Sequence, residues 1–450
     1  MPTMLVKNAD HLVTMDGGRR EIAGGGIYIE NGVITAVGVS GDLPETADEV
    51  IDATNCVVTP GLINTHHHFY QNLTRAVPAA QDATLFGWLR TLYPIWGRMG
   101  PEEIRISAQV ALAEMALAGV TCAADHLYMF PGGARLDDEI EAAEGIGLRL
   151  HATRGAMSIG ESDGGLPPDT LVEKEDAILT DTLRVIQTHH NPNPGAMIRI
   201  GVAPCSPFSV SRELMRDAAV LARDQKVMLH THLAENDDDI AYSLEKFGCR
   251  PGSYVADLGW TGDDVWHAHC VKLDTVEIDL FARSGTGVAH CPCSNMRLGS
   301  GVAPIRAMRD AGVKVGLGVD GSASNDSGDL MTEARQALLL QRVAHGGDAL
   351  SARDALEIAT LGGAQVLGRD DLGALDVGKR ADFVIYRTDT IALSGAWDPV
   401  AGLIFCGPVR AEHTVVEGRF VVRDGHLATI ELPVLLERHK ALAKKLIVGV

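Results

Sequence analysis

The chain has 450 residues, 46% of them hydrophobic and 22% charged, with a formal net charge of −20. This is an ordinary globular balance, and its acidity argues against gripping nucleic acid or an anionic membrane through a broad basic surface. There is no basic-then-apolar leader and no apolar run long enough to span a bilayer, and the eight scattered cysteines read as buried thiols of a cytoplasmic protein, not a disulfide framework.

In chain order, MLVKNADHLVT and GGIYIENGVITAVG read as short strands around turns such as Asn31-Gly32. Near the other end, ADFVIYR and HTVVEGRFVVRDG repeat the pattern. Residues 1–57 and 375–430 are therefore expected to form one small β-sandwich from both termini. Between them, over residues 58–374, short apolar runs recur: NCVVTPGLINTH, GVTCAADH, GLRLHATRG, MIRIGVAPC, KVMLHTHLAE, DVWHAHCV, TGVAHCP and VKVGLGVD. Helical stretches such as PEEIRISAQVALAEMALAG and SRELMRDAAVLARDQ separate most of them. Strands alternating with helices imply parallel pairing, and about eight runs suffice to close a (β/α)₈ barrel. The expected fold class is thus α/β, a distorted TIM barrel with a terminal sandwich; an open doubly wound sheet is the competing architecture. Residues 431–450, with LPVLLERHKALAKKLIV, have helical spacing of apolar positions.

Polar residues collect where these runs end. His66 and His68 end the first run, Asp125-His126 the second, His232 the fifth, His269 the sixth, His290 the seventh and Asp320 the eighth. In a barrel that is the face on which active sites are built. Side chains alternate along a strand, so His66 and His68 share a face while His67 turns away. A lone histidine is more often a packed residue than a ligand. The pair joined by His232 and Asp320, however, offers three imidazoles and a carboxylate, a set that suits one zinc or iron ion. Glu235 emerges three residues beyond His232 and is placed to move protons between water and substrate. Trp88, Trp96 and Tyr128 are candidate flat walls for a ring, with core packing as the competing role. His126 and Arg154 are candidate substrate ligands; Asn295 and Arg297 are expected to shape the loop after strand seven.

Several formal motif matches carry no weight. GLGVDG fits G-x-G-x-x-G but contains Asp320 and lacks a helix start at the right place. GALDVGKR has Arg380 where a P-loop needs Ser or Thr. CPCSN lacks a second cysteine pair, and the H-x-E…P-C-x-x-C signature of the other zinc deaminases is absent.

Taken in order, PGLINTHHH, HTHLAE, WHAHCV and GLGVDGSASND resemble the motifs of the amidohydrolase superfamily, and TLGGAQVLGRDDLGALDVGKRADFVI is similar to its return into the sandwich. The resemblance implies that His66, His68, His232 and Asp320 hold one zinc. It also implies that Asp320 accepts a proton from the nucleophilic water, Glu235 protonates a ring nitrogen, and His269 orients the water or polarises the substrate. Members with two metals often carry a lysine on strand four. MIRIGVAPCSPF has none, and Lys226 precedes strand five, so a mononuclear site follows.

Within the superfamily, HHHFYQNLTRA, LFGWLRTLYPIW, ADHLYMFPGG and CPCSNMRLGSG resemble the cytosine/guanine deaminase branch. They are most similar to its 8-oxoguanine-deaminating members, often labelled hydroxydechloroatrazine ethylaminohydrolases. Gln71 matches a position that hydrogen-bonds the purine in guanine deaminases. Those enzymes also grip the ring with an Arg-Phe pair on strand four, where this chain has Cys205-Ser206-Pro207-Phe208. The missing Arg argues against plain guanine. The resemblance implies hydrolytic deamination of a small heterocycle, 8-oxoguanine to urate and ammonia first and isocytosine second, by a homo-oligomer. An s-triazine amino- or chlorohydrolase and a non-catalytic scaffold are the alternatives.

Overall fold

The computed structural model describes residues 2–448. Eight parallel strands form a closed barrel, in chain order Leu62–Asn64, Val120–Leu127, Arg149–Ala156, Ile198–Pro204, Met228–Leu233, Val265–His269, Gly287–His290 and Lys314–Leu317. Strand eight closes on strand one with Leu317 opposite Asn64, which rules out the open doubly wound sheet. Strands two and three are buried along their whole length, as parallel strands covered by helices must be.

The connecting helices start where the sequence provides caps. Ser211 Oγ accepts from Leu214 N at 2.9 Å to open Arg212–Gln225. Asp274 does the same for Thr275–Ser284, with Glu277 reaching back to the Asp274 N–H. Helix Pro101–Leu117 begins with proline and two glutamates in its first turn.

Two terminal sheets pack beside the barrel. One comprises Thr3–Ala9, Gly25–Glu30, Val33–Val39 and Glu49–Asp52; the other interleaves N-terminal strands with Phe383–Arg387, His413–Val416, Arg419–Arg423 and His426–Leu427. Met4, Val6, Ile27, Val58, Phe383 and Val415 share one apolar core between them. The single run NCVVTPGLINTH is two strands. Cys56–Pro60 pairs antiparallel with Phe383–Arg387, and Leu62–Asn64 enters the barrel. Gly61 makes the crossing because a Cβ there would lie 2.0 Å from Thr121 Oγ1. The C-terminal helix spans Leu432–Val448, burying Leu435, Leu442 and Leu446, and Arg438 reaches Glu102 at 2.7 Å. Residues 449–450 of the expected helical segment lie outside the described residues. No helix among the described residues is long and apolar enough to cross a membrane, and all eight cysteines are free thiols.

Barrel and sheets are joined by charge. Arg149, fully buried at the start of strand three, holds Asp382 with both ends of its fork, Nε to Oδ2 at 2.7 Å and Nη2 to Oδ1 at 2.8 Å. Glu417 completes the cluster against the same guanidinium. Removing one partner of a buried pair leaves a charge without compensation, which costs about 3–5 kcal/mol. Asp382→Ala is expected to lose about 3 kcal/mol, because Glu417 remains, and denaturant unfolding monitored by circular dichroism measures it.

Candidate active site

The His66–His68 segment lies just beyond strand one, and each of the three imidazoles expected to bind metal is fixed through its Nδ1. His68 Nδ1–H donates to His126 O at 2.7 Å, and His232 Nδ1–H donates to Cys205 O at 2.6 Å. His66 Nδ1–H donates to His230 Nε2 at 2.9 Å, and His230 in turn donates through its own Nδ1 to Trp266 O at 3.0 Å. Burial holds His66 well below its ordinary pKa, lowers that of His68 and takes that of His232 down to about 3. The rings are therefore neutral, each with a bare lone pair on Nε2.

Those lone pairs converge. His68 Nε2 and His232 Nε2 are 3.1 Å apart, and Asp320 Oδ1 lies 3.3 Å from His66 Nε2 and 3.4 Å from His68 Nε2. Ligands about 2.0–2.1 Å from a tetrahedral ion stand about 3.3 Å from one another. Without a cation, two neutral nitrogen lone pairs face each other across 3.1 Å, and buried His66 Nε2 has no aligned donor. The donor set therefore fits one zinc-like ion.

Asp320 is held on all sides. Its Oδ2 accepts from Ser294 Oγ at 2.5 Å and Ser324 Oγ at 3.1 Å, and its Oδ1 accepts from Gly321 N at 2.7 Å. Burial would raise its pKa; the His66 contact, then the charge of His269, outweigh that and keep it well below the usual carboxylate range. Gly321 is required by contact: a Cβ there would lie 1.9 Å from Gln71 Oε1. Asp320, His269 and Ala234 all have positive φ, of 61°, 69° and 50°. Such backbone is uncommon outside glycine and persists where surrounding structure enforces it, often at functional sites.

Glu235 and His269 flank this cluster. His269 Nδ1–H donates to Asn295 Oδ1 at 3.0 Å, and its Nε2 lies 3.7 Å from Glu235 Oε2. Burial raises the Glu235 carboxyl to about 7, against the opposing pull of His269. Burial would lower His269, but the Glu235 and Asp320 carboxylates outweigh it and raise it. The Glu235 N–H is tied to Asp239 Oδ2 at 2.8 Å, fixing the turn that carries the acid.

A pocket with about 500 Å³ of empty space, its open mouth included, sits over the cluster. His68, His232, Glu235, His269 and Asp320 line its floor, and Gln71, Trp88, Tyr128 and Phe208 line its walls. Trp88 Nε1–H donates to Ala323 O at 3.0 Å. Trp96 stands behind Trp88, its Nε1–H donating to Thr74 Oγ1 at 3.0 Å, and belongs to the core. Two of the candidate substrate ligands are placed elsewhere. Arg154 donates to Glu173 at 2.8 Å and Asp181 at 3.1 Å and stays off the pocket wall. His126 stacks on His232 with ring centroids 4.9 Å apart and donates through Nε2 to Ala203 O at 2.8 Å, behind the pocket. It stands close enough to His66, His68 and His232 to border the ion site. Sequence reasoning gives no sign of Ser294 and Ser324 as supports; it assigns Asn295 only to the loop after strand seven, and His230 only a shared face with His232, two residues on.

The amidohydrolase family model matches residues 57–421. The chain belongs to the amidohydrolase family. It is 45% identical to the 8-oxoguanine deaminase of Pseudomonas aeruginosa, over 95% of this chain and 96% of that protein. It is 38% identical to the hydroxydechloroatrazine ethylaminohydrolase of Pseudomonas sp. strain ADP, over 100% of this chain and 97% of the other. Among solved structures, the atrazine chlorohydrolase of Arthrobacter aurescens TC1 complexed with zinc superposes on this amidohydrolase with a TM-score of 0.94. That match has 37% identity and covers 98% of this chain and 100% of the other. The sequence-based expectation of a barrel enzyme in a metal-dependent hydrolase family therefore stands.

Proposed function

We propose that this amidohydrolase is a mononuclear zinc-dependent deaminase of an amino-substituted, purine-like ring, with 8-oxoguanine as its substrate and isocytosine as a second. The 3.1 Å approach of two fixed, neutral imidazole nitrogens beside an ionised Asp320 carries the metal assignment. Similarity to a deaminase across nearly the whole chain supports the substrate class.

His66, His68, His232 and Asp320 would hold the ion. When bound, such an ion supplies Lewis acidity that brings the ionisation of water to a pKa of about 7. Asp320, already ionised, takes a proton from the attacking water. Glu235, raised to about 7, holds a proton near neutrality and gives it to the ring nitrogen beside the attacked carbon. Asn295 fixes the His269 tautomer, so that His269 Nε2 faces Glu235 and the space above the ion site and orients the water. The Asp320 proton then passes to the exocyclic nitrogen. The carbon–nitrogen bond breaks, ammonia leaves, and the added hydroxyl returns its remaining proton to Glu235 as the carbonyl forms.

Trp88, Tyr128 and Phe208 enclose a flat ring, and Gln71 stands at its edge with Oε1 accepting from Ala323 N at 3.3 Å. Ser206 and Cys205 line the pocket where an arginine is missing.

A second reading, hydrolysis of an s-triazine, is favoured by the likeness to a chlorohydrolase at 37% identity. The same attack on a ring carbon would expel alkylamine or chloride. A steady-state screen of zinc-loaded enzyme separates the two. Ammonia and urate are expected from 8-oxoguanine, with ammonia also from isocytosine. No ammonia from any aminopurine or aminopyrimidine rejects deamination of such rings, and alkylamine or chloride release then identifies the triazine hydrolase.

A further inference from the structure

At the opposite mouth of the barrel lies a second cleft, with about 1510 Å³ of empty space, its open mouth included. Its walls come from the beginnings of strands: His151 of strand three, Arg199 of strand four, Met228 of strand five and Lys314 of strand eight. The active site occupies the ends of the same strands, so the two openings are separated by the packed barrel interior.

Charge in this cleft runs against the charge of the chain. Arg369 is occupied by Asp371 at 2.8 Å and Asp264 by Arg223 at 2.9 Å. With these pairs set aside, Arg199, Lys226, Lys314 and Lys379 face only Asp263 and Asp370. This cationic excess sits in a chain of net charge −20. Arg199 donates only to main-chain oxygens, Gly368 O at 2.9 Å and Pro192 O at 3.3 Å, and its Nε is buried without a partner. No carboxylate pairs with Lys226 or Lys314 among the described residues.

A buried group points the same way. His151 is 3% exposed, lines the cleft, and has no partner on either ring nitrogen. Burial, with Arg199 and Arg369 nearby, holds it neutral, so it offers one N–H donor and one lone pair. A buried polar group without a partner is costly unless something in the cavity meets it.

We infer that this cleft binds a small phosphate-bearing molecule, its phosphate held by Arg199, Lys226 and Lys314 with His151 donating. Cations drawn from strands four and eight and from the end of the helix before strand five suit a dianion better than a carboxylate, and the cleft is large enough for an organic group beyond the phosphate.

The test uses holoenzyme and inorganic phosphate, with chloride and acetate at matched ionic strength, read by thermal denaturation and ³¹P line broadening. A saturable rise in Tm with phosphate alone is expected. Arg199→Gln and the exposed-side double variant Lys226→Ala/Lys314→Ala should each weaken that response at least tenfold, and the double variant should retain basal activity. An equal response to chloride or acetate overturns the inference. So does an undiminished phosphate response in the double variant, which would locate the phosphate elsewhere, for instance at the active site.

Discussion

Glu235→Gln is expected to keep its metal and to lose turnover by ~10²–10⁴-fold, the usual contribution of a positioned acid–base group. The carboxyl sits 3.7 Å from His269 Nε2, and Ser300 Oγ donates to its Oε1 at 3.4 Å. Its burial places it near 7, so protonated and ionised forms are both accessible at neutral pH. Glutamine keeps the shape and can still donate a hydrogen bond, but it cannot deliver a proton to a ring nitrogen and recover it. The Glu235 side chain makes no hydrogen bond to the His66, His68 or His232 ring, the proposed ligands, so metal content should stay near that of the parent enzyme. Atomic absorption and kcat on the same preparation settle the matter, and a near-normal kcat would falsify the shuttle role.

His68→Ala should abolish both metal binding and turnover, whereas His67→Ala should retain the metal. His68 contributes the nitrogen that approaches both His232 and Asp320. Deleting it opens the donor set, so affinity should fall by more than the roughly 10–100-fold typical of removing a residue behind the ligands. His67 is equally buried, yet its Nδ1 accepts from the His68 N–H at 2.7 Å and its ring packs against Phe69. Losing it should cost stability through a cavity and slightly loosen His68, with the metal retained. Metal analysis showing the reverse pattern would place the register of this segment one residue off.

These particular residues also show how far sequence reading reaches. The alternation of runs and helices led to the closed barrel, because local pattern and parallel pairing are tightly linked. The gathering of His66, His68, His232 and Asp320 followed from two facts: side chains two apart share a face, and strand ends share a rim. Arg154 shows the limit. It has the right type and stands at a strand end, but its partners, Glu173 and Asp181, come from the loop and helix that follow. Nothing local reveals that those acids fold back on it. Asn295 is the opposite case. It was expected only to shape a loop, and its amide oxygen fixes the His269 tautomer across 26 residues of sequence. The division at Gly61 is easy to read through because both strands are apolar and contiguous; the Pro60-Gly61 dipeptide is its local mark, and the proximity of Thr121 explains the glycine.

The join between the eighth and first strands deserves a mechanical reading. It has one residue pair, Leu317 with Asn64. Beyond that, bonds at and just past the strand ends do the holding: Asn64 Oδ1 accepts from Val319 N at 2.9 Å, and Leu317 O accepts from both Thr65 N and Thr65 Oγ1 at 2.8 Å. His66 stands on one side of this join and Asp320 on the other, linked by Asp320 N to His66 O at 3.1 Å. A cation held by both would be a rivet through the thinnest part of a hoop. Its affinity and the work of closing the hoop would then be one free energy, so that tightening the first would tighten the second.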